Sequence, residues 1–185
     1  MKYLTGLLLF FICTSAFAGD YYEPRTNTYD PVTGLYYKSV EASPGKGGFL
    51  SSSSRSAVVN IAVYDPSKAT YTLLFKEPVR EGISVVLFET GFKDGSIRFN
   101  GETNSNLTLN NVNVTKRELR DKLLVGVQNN DSKTTDLFVS DKRGNHLKKL
   151  VTVPFAADWH IDVKNSKLRV VHQTGKGIRV ENYTW

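Results

Sequence analysis

The chain has 185 residues, 24 of them Lys or Arg against 18 Asp or Glu, for a net charge of +6, with a single cysteine. That length can bury a core without staples, and one cysteine excludes both an internal disulfide framework and a multi-cysteine metal site. Beyond the N-terminus no apolar run is long enough to cross a membrane as a helix.

The first element is a leader. Met1-Lys2 supplies a positive charge, Leu7 to Cys13 an apolar run, and Ala16-Phe17-Ala18 a small-x-small cleavage site, the signature of a secretory signal peptide over residues 1–18. Cys13 leaves with it, as does Lys2. Ile12 before Cys13 makes lipidation a poor alternative. An exported chain without a disulfide fits a bacterial periplasm, and residues 19–185 are expected to form a single β-rich domain.

Next comes "AGDYYEPRTNTYDPVTGLYY", which holds Tyr21, Tyr22, Tyr29, Tyr36 and Tyr37. Tyrosines at this density form contact surfaces, or else an N-terminal strand that closes the fold. The serine run Ser51 to Ser54 lacks the G-x-S-x-G elbow of a nucleophilic serine and reads as a low-complexity loop.

Short buried strands follow. "AVVNIAVY" (57–64), "ISVVLF" (83–88), "LLVGV" (123–127) and "LFV" (137–139) are apolar at successive positions and too short for helices. Turn residues separate them. "TYDPVTGLYY", "VYDPSKATYTLLF", "FNGETNSNLTL" and "VSDKRGNHLKKL" repeat one arrangement, an Asp or Asn opening a turn ahead of a strand. Asp30, Asp65 and Asp141 fall at steps of about 35–38 residues, a period of blade-like or solenoid architectures. Thr115 with Glu118 makes a capping box, which predicts a brief helix near 116–122. The cations Arg117, Arg120, Lys122, Lys142, Arg143, Lys148 and Lys149, mixed with Glu118, Asp121 and Asp141, read as a solvated surface, although an acidic partner or phospholipid could meet it.

From Thr135 to Val171, "TDLFVSDKRGNHLKKLVTVPFAADWHIDVKNSKLRVV" resembles a blade of TolB-like and WD-repeat-like β-propellers, with "DLFVSD" as a strand, a Gly turn, and "DW" opening the next blade. The resemblance implies a partial or small propeller of antiparallel hairpins and an interaction module. The alternative all-β fold is a β-sandwich.

Within "PFAADWHIDVKNSKLRVVH", Asp158, His160 and Asp162 alternate with Trp159, Ile161 and Val163, so three polar groups line one face of a strand. A two-residue turn at Asn165-Ser166 would set Asp162 opposite Arg169 and put Trp159, Ile161, Val163, Leu168 and Val170 in the core. His172 would join that apolar face and His146 the polar turn. Arg169 beside Asp162 argues against a metal, and no motif for a cofactor is present. Asp158, His160 and Asp162 are therefore the catalytic candidates of a small envelope hydrolase, the rival reading. A small outer-membrane β-barrel is a third, suggested by the terminal "NYTW" but opposed by strands apolar on both faces. The leading expectation is a periplasmic, non-catalytic module that binds another exported protein, such as an immunity or inhibitor protein. Its expected contact residues are Tyr21, Tyr22, Tyr29, Tyr36, Tyr37, Arg143 and His146. Nucleic acid is an unlikely partner for an exported chain.

Overall fold

The computed structural model describes residues 27–42, 57–100 and 114–185, which form three antiparallel sheets and, among the described residues, no helix. The first sheet is the meander β1 (Asn27–Tyr29), β2 (Tyr36–Glu41), β3 (Val58–Asp65) and β4 (Thr70–Leu73). The second contains β5 (Ile83–Lys93), β6 (Ser96–Phe99), β7 (Leu123–Asn129), β8 (Thr134–Ser140) and β9 (Lys148–Pro154), in the order β6-β5-β7-β8-β9. The third is β10 (Asp158–Asp162), β11 (Lys167–Thr174) and β12 (Gly177–Thr184). All three are open sheets of strands near in sequence, so the all-β reading of the sequence holds.

The doubly apolar runs explain the layering. On β5 and β7 the residues Val86, Phe88, Leu123 and Val125 pack with Leu35, Tyr37, Ile61 and Val63 of the first sheet region. Their alternates Leu87 and Leu124 pack with Leu137, Val153, Ile161, Leu168, Val170 and Trp185. A strand buries both faces only when layers lie on either side, and the central sheet has them. "AVVNIAVY" differs. Val58, Ile61 and Val63 are buried, but Tyr64 is exposed because β3 belongs to an outer sheet.

Asp opens the turns through one mechanism. Asp30 Oδ1 accepts the Val32 amide at 3.1 Å, Asp65 Oδ1 that of Ser67 at 3.0 Å, Asp141 Oδ1 that of Asn145 at 2.8 Å, and Asp162 Oδ1 that of Asn165 at 3.0 Å. The weakest copy of the repeat behaves otherwise. The Asn100 side chain is bonded to the Phe88 amide and the Val86 carbonyl, and the residues after it lie outside the described ones.

Two expectations are overturned here. Residues 116–122 are irregular rather than helical, because the fully buried Glu89 competes for the donors a helix would use. Arg117 gives Glu89 two guanidinium bonds, at 2.8 and 2.7 Å, and the Arg120 amide donates to it at 2.8 Å. Tertiary bonds to a buried carboxylate outweigh a local cap worth about 1 kcal/mol. Lys142, expected at the surface, is 1% exposed. Its Nζ pairs with Asp30 at 2.9 Å, donates to the Glu89 carbonyl at 2.6 Å and lies 5.5 Å from the centre of the Phe88 ring. Tyr37 donates its hydroxyl to the Lys142 carbonyl at 2.7 Å. This polar knot fastens the first sheet to the second.

Candidate binding surfaces

The repeated hairpins build the first surface. Tyr29-Asp30-Pro31 and Tyr64-Asp65-Pro66 each precede a turn, and each is followed by a tyrosine seven positions after the first, Tyr36 and Tyr71. The turns set Tyr29 opposite Tyr36 and Tyr64 opposite Tyr71, while the β2–β3 register sets Tyr36 opposite Tyr64. The four tyrosines therefore form one row across all four strands. They are 47%, 48%, 39% and 66% exposed in the order Tyr29, Tyr36, Tyr64, Tyr71. The Tyr29 and Tyr36 rings lie 4.9 Å apart at 45°, leaning on each other. The adjoining row pairs Asn27 with Lys38, Lys38 with Ala62, and Ala62 with Leu73, whose side chain is also exposed.

Tyr37 is not part of this surface. Strand alternation turns it inward, where it is fully buried. Burial pushes its phenol up, and the Asp30 carboxylate adds to the effect. Tyr64 and Tyr71 stand in the row but are absent from the residues expected from the sequence, although the Tyr-Asp-Pro repeat carried the signal. Tyr21 and Tyr22 lie outside the described residues.

The second surface is the outer face of the third sheet. Ile161 is buried and Trp159 half-buried on one side of β10, with Asp158, His160 and Asp162 on the other, as alternation requires. The register differs from the expected one by two residues. Asp162 pairs with Lys167, His160 with Arg169 and Trp159 with Val170, leaving a four-residue turn from Val163 to Ser166, with Ser166 at φ 53°. The Asp162 turn explains the change, since its carboxylate takes both the Asn165 amide and the Asn165 side chain. Arg169 still reaches Asp162, diagonally, through Nε at 2.9 Å and Nη2 at 2.7 Å.

Asp162 is thus 1% exposed with its acceptors occupied. Burial raises its pKa, but the Asn165 and Arg169 donors outweigh burial and hold the carboxyl below its ordinary value. A stably ionised, fully bonded carboxylate is a poor general acid or base. Among the described residues no three His, Cys, Asp or Glu side chains gather as a metal site would require. His172, on the inner side, has its Nε2 3.5 Å from Glu181, longer than a well-formed hydrogen bond.

The remaining candidates separate. Arg143 is half-exposed but bonded to Asp65 at 2.7 Å, which ties the β8–β9 loop to the β3–β4 turn. His146 is exposed at φ 58° and lines a cleft of 420 Å³ with Lys122 and Lys148. Comparison with protein families, with curated proteins and with solved structures finds no match for this chain.

Proposed function

We propose that the chain is an exported, non-catalytic module that binds another envelope protein through the tyrosine row of its first sheet. The observation that carries this reading is the alignment of Tyr29, Tyr36, Tyr64 and Tyr71 in one exposed line. Tyrosine supplies large, rigid, amphipathic contact area at low conformational cost, which is why it is enriched at protein interfaces. The tilt of Tyr29 against Tyr36 favours a protein over a flat sugar chain, because the leaning rings offer edges and hydroxyls more than open faces. Export rests on the leader at residues 1–18. A periplasmic immunity or inhibitor protein is one role of this kind.

The blade-like reading of Thr135 to Val171 is supported by the course of the chain. That stretch runs through β8 and β9 of one sheet and continues as β10 and β11 of the next. Rigid stacked hairpins of this sort suit the display of a fixed contact row.

The test is a photocrosslinking amino acid placed at Tyr71 or at Gln173, an exposed position of the third sheet, with the protein exported in its own host. A discrete adduct with one envelope protein at Tyr71, absent at Gln173 and lost in Tyr36→Ser/Tyr64→Ser, is the expected result. Adducts of equal yield at both positions, or none at either, would overturn it.

A further inference from the structure

We propose that the cleft beside the start of β7 binds a phosphate group, carried on a small polar molecule or on a lipid headgroup. The inference stands apart from the tyrosine row.

The cleft occupies 420 Å³ and is lined by Asp121, Lys122, Ser140, Asp141, His146 and Lys148, with Thr184 at one side. Its lysines come from separate places, Lys122 ahead of β7 and Lys148 at the start of β9, and the His146 imidazole joins them from the loop before β9. Its two carboxylates already serve the backbone. Asp121 accepts the Lys142 amide at 3.0 Å, and Asp141 accepts both the amide and the side chain of Asn145, at 2.8 and 3.1 Å. Ser140 donates to the Asp141 carbonyl at 2.8 Å.

Three lysines of this chain find acids. Lys142 pairs with Asp30, Lys149 with Asp136 at 2.7 Å, and Lys68 with Asp65 at 3.8 Å. Lys122 has no ion pair among the described residues and makes one long bond, 3.4 Å to the Thr184 carbonyl. Lys148 forms no ion pair among them either. Behind Lys122, Arg120 spends one nitrogen on Ser166, and its buried Nε has no hydrogen-bond partner.

Burial lowers the pKa of Lys122, and the neighbouring charges of Arg120 and Lys148 lower it further. Partial burial and the charges of Arg120 and Lys148 thus disfavour this ammonium, and the Glu89 charge acts in the opposite sense without cancelling them. An oxyanion with several acceptors relieves the repulsion and completes the lysine's hydrogen bonds at once. Phosphate fits better than a single carboxylate, since it brings more acceptor oxygens and up to two charges to a site where two lysines and an imidazole meet. Lysine serves such groups as a point charge.

Thermal melts of the mature protein test this with inorganic phosphate against sodium chloride at matched ionic strength, and with vesicles containing an anionic phospholipid against neutral ones. A saturable rise in Tm with phosphate is expected, as for any ligand that binds only the folded state. The rise should vanish in Lys122→Gln/Lys148→Gln. A rise confined to anionic vesicles and lost in the same variant would assign the site to a headgroup. In the unaltered protein, NMR titration of the Lys122 amino group should show its pKa moving upward on saturation with phosphate, a readout that does not depend on the variant folding. No rise with either probe, a rise that survives both substitutions, or a rise with inorganic phosphate that leaves the Lys122 titration unmoved would overturn the proposal.

Discussion

The first and third sheets cover opposite faces of the same central sheet, and each turns a second face outward. Their outer faces use side chains in opposite ways. On the third sheet the polar residues satisfy one another: Asp162 holds Asn165 and Arg169, and Arg169 also reaches Asn182. On the first sheet a line of tyrosines stands open at 39% to 66% exposure. Asp162, at the centre of the stretch that looks most chemical in the sequence, is thus fully consumed by structure. Availability of a side chain, more than its type, marks a surface for a partner.

The sheets are also fastened differently. The first is held through the buried Asp30–Lys142 pair, the third through Trp185, whose indole donates to Glu89 at 3.0 Å. The largest expected effect comes from breaking the first fastening. Asp30→Ala leaves the Lys142 ammonium buried without its acid and should cost about 3–5 kcal/mol, whereas Asp30→Ala/Lys142→Met removes both charges and should cost distinctly less. Denaturant melts of the two variants measure the difference. Equal costs would mean that packing, and not the ion pair, closes this interface.

A smaller effect should come from acid, and it should fall on the third sheet. Burial raises the pKa of Glu89, but bonds from Arg117, the Arg120 amide and Trp185 bring it below its ordinary value, and Asp162 is lowered as well. A carboxylate with a lowered folded pKa adds stability that is fully present above its unfolded pKa, 4.5 for Glu89 and 3.8 for Asp162, and lost as pH falls through the folded value. Stability should therefore hold from neutrality to about pH 5 and decline below it. Glu89→Gln should be less stable at neutral pH and show a flatter acid decline. Urea midpoints between pH 7 and pH 3 check this, and an unchanged slope would remove Glu89 from the fastening.

The smallest effects sharpen the contrast between the two outer faces. Tyr64→Ser should cost no more than about 1 kcal/mol, the scale of a cross-strand aromatic contact, yet abolish crosslinking at Tyr71. His160→Ala should change stability by no more than about 0.5 kcal/mol and leave crosslinking intact. Loss of partner binding in the His160 variant would exchange the roles of the two faces.

How much of this could be read from residue order follows from what each signal measures. "ISVVLF" and "LLVGV" announce burial on both sides because apolar residues at successive positions leave no wet face. The Tyr-Asp-Pro repeats announce hairpins because Asp binds the turn amides. Alternation says that Tyr36 and Tyr37 face opposite ways, but only the packed layers decide which of them is inside. The β10–β11 register depended on how many residues the Asp162 turn would enclose, a matter of side-chain bonding that a two-residue turn rule cannot supply. Lys142 and Glu89 were hidden more deeply. Their partners are remote in the chain, and a lysine among other charges looks solvated until the layers close over it. Cross-strand alignment of Tyr36 with Tyr64 likewise joins separate hairpins, so the row exists only once the sheet does.

The Asp30–Lys142 pair spans 112 positions of the chain. Synthesis proceeds at roughly 5–20 residues per second, so the acid of this pair waits on the order of 5–20 s for its base. During that interval β1 to β4 can form their meander but cannot seal its inner face. Contacts of such high sequence separation also slow folding, because the loop must close before they yield any stabilisation. The first interface therefore lacks its buried ion pair until the chain has been made as far as Lys142.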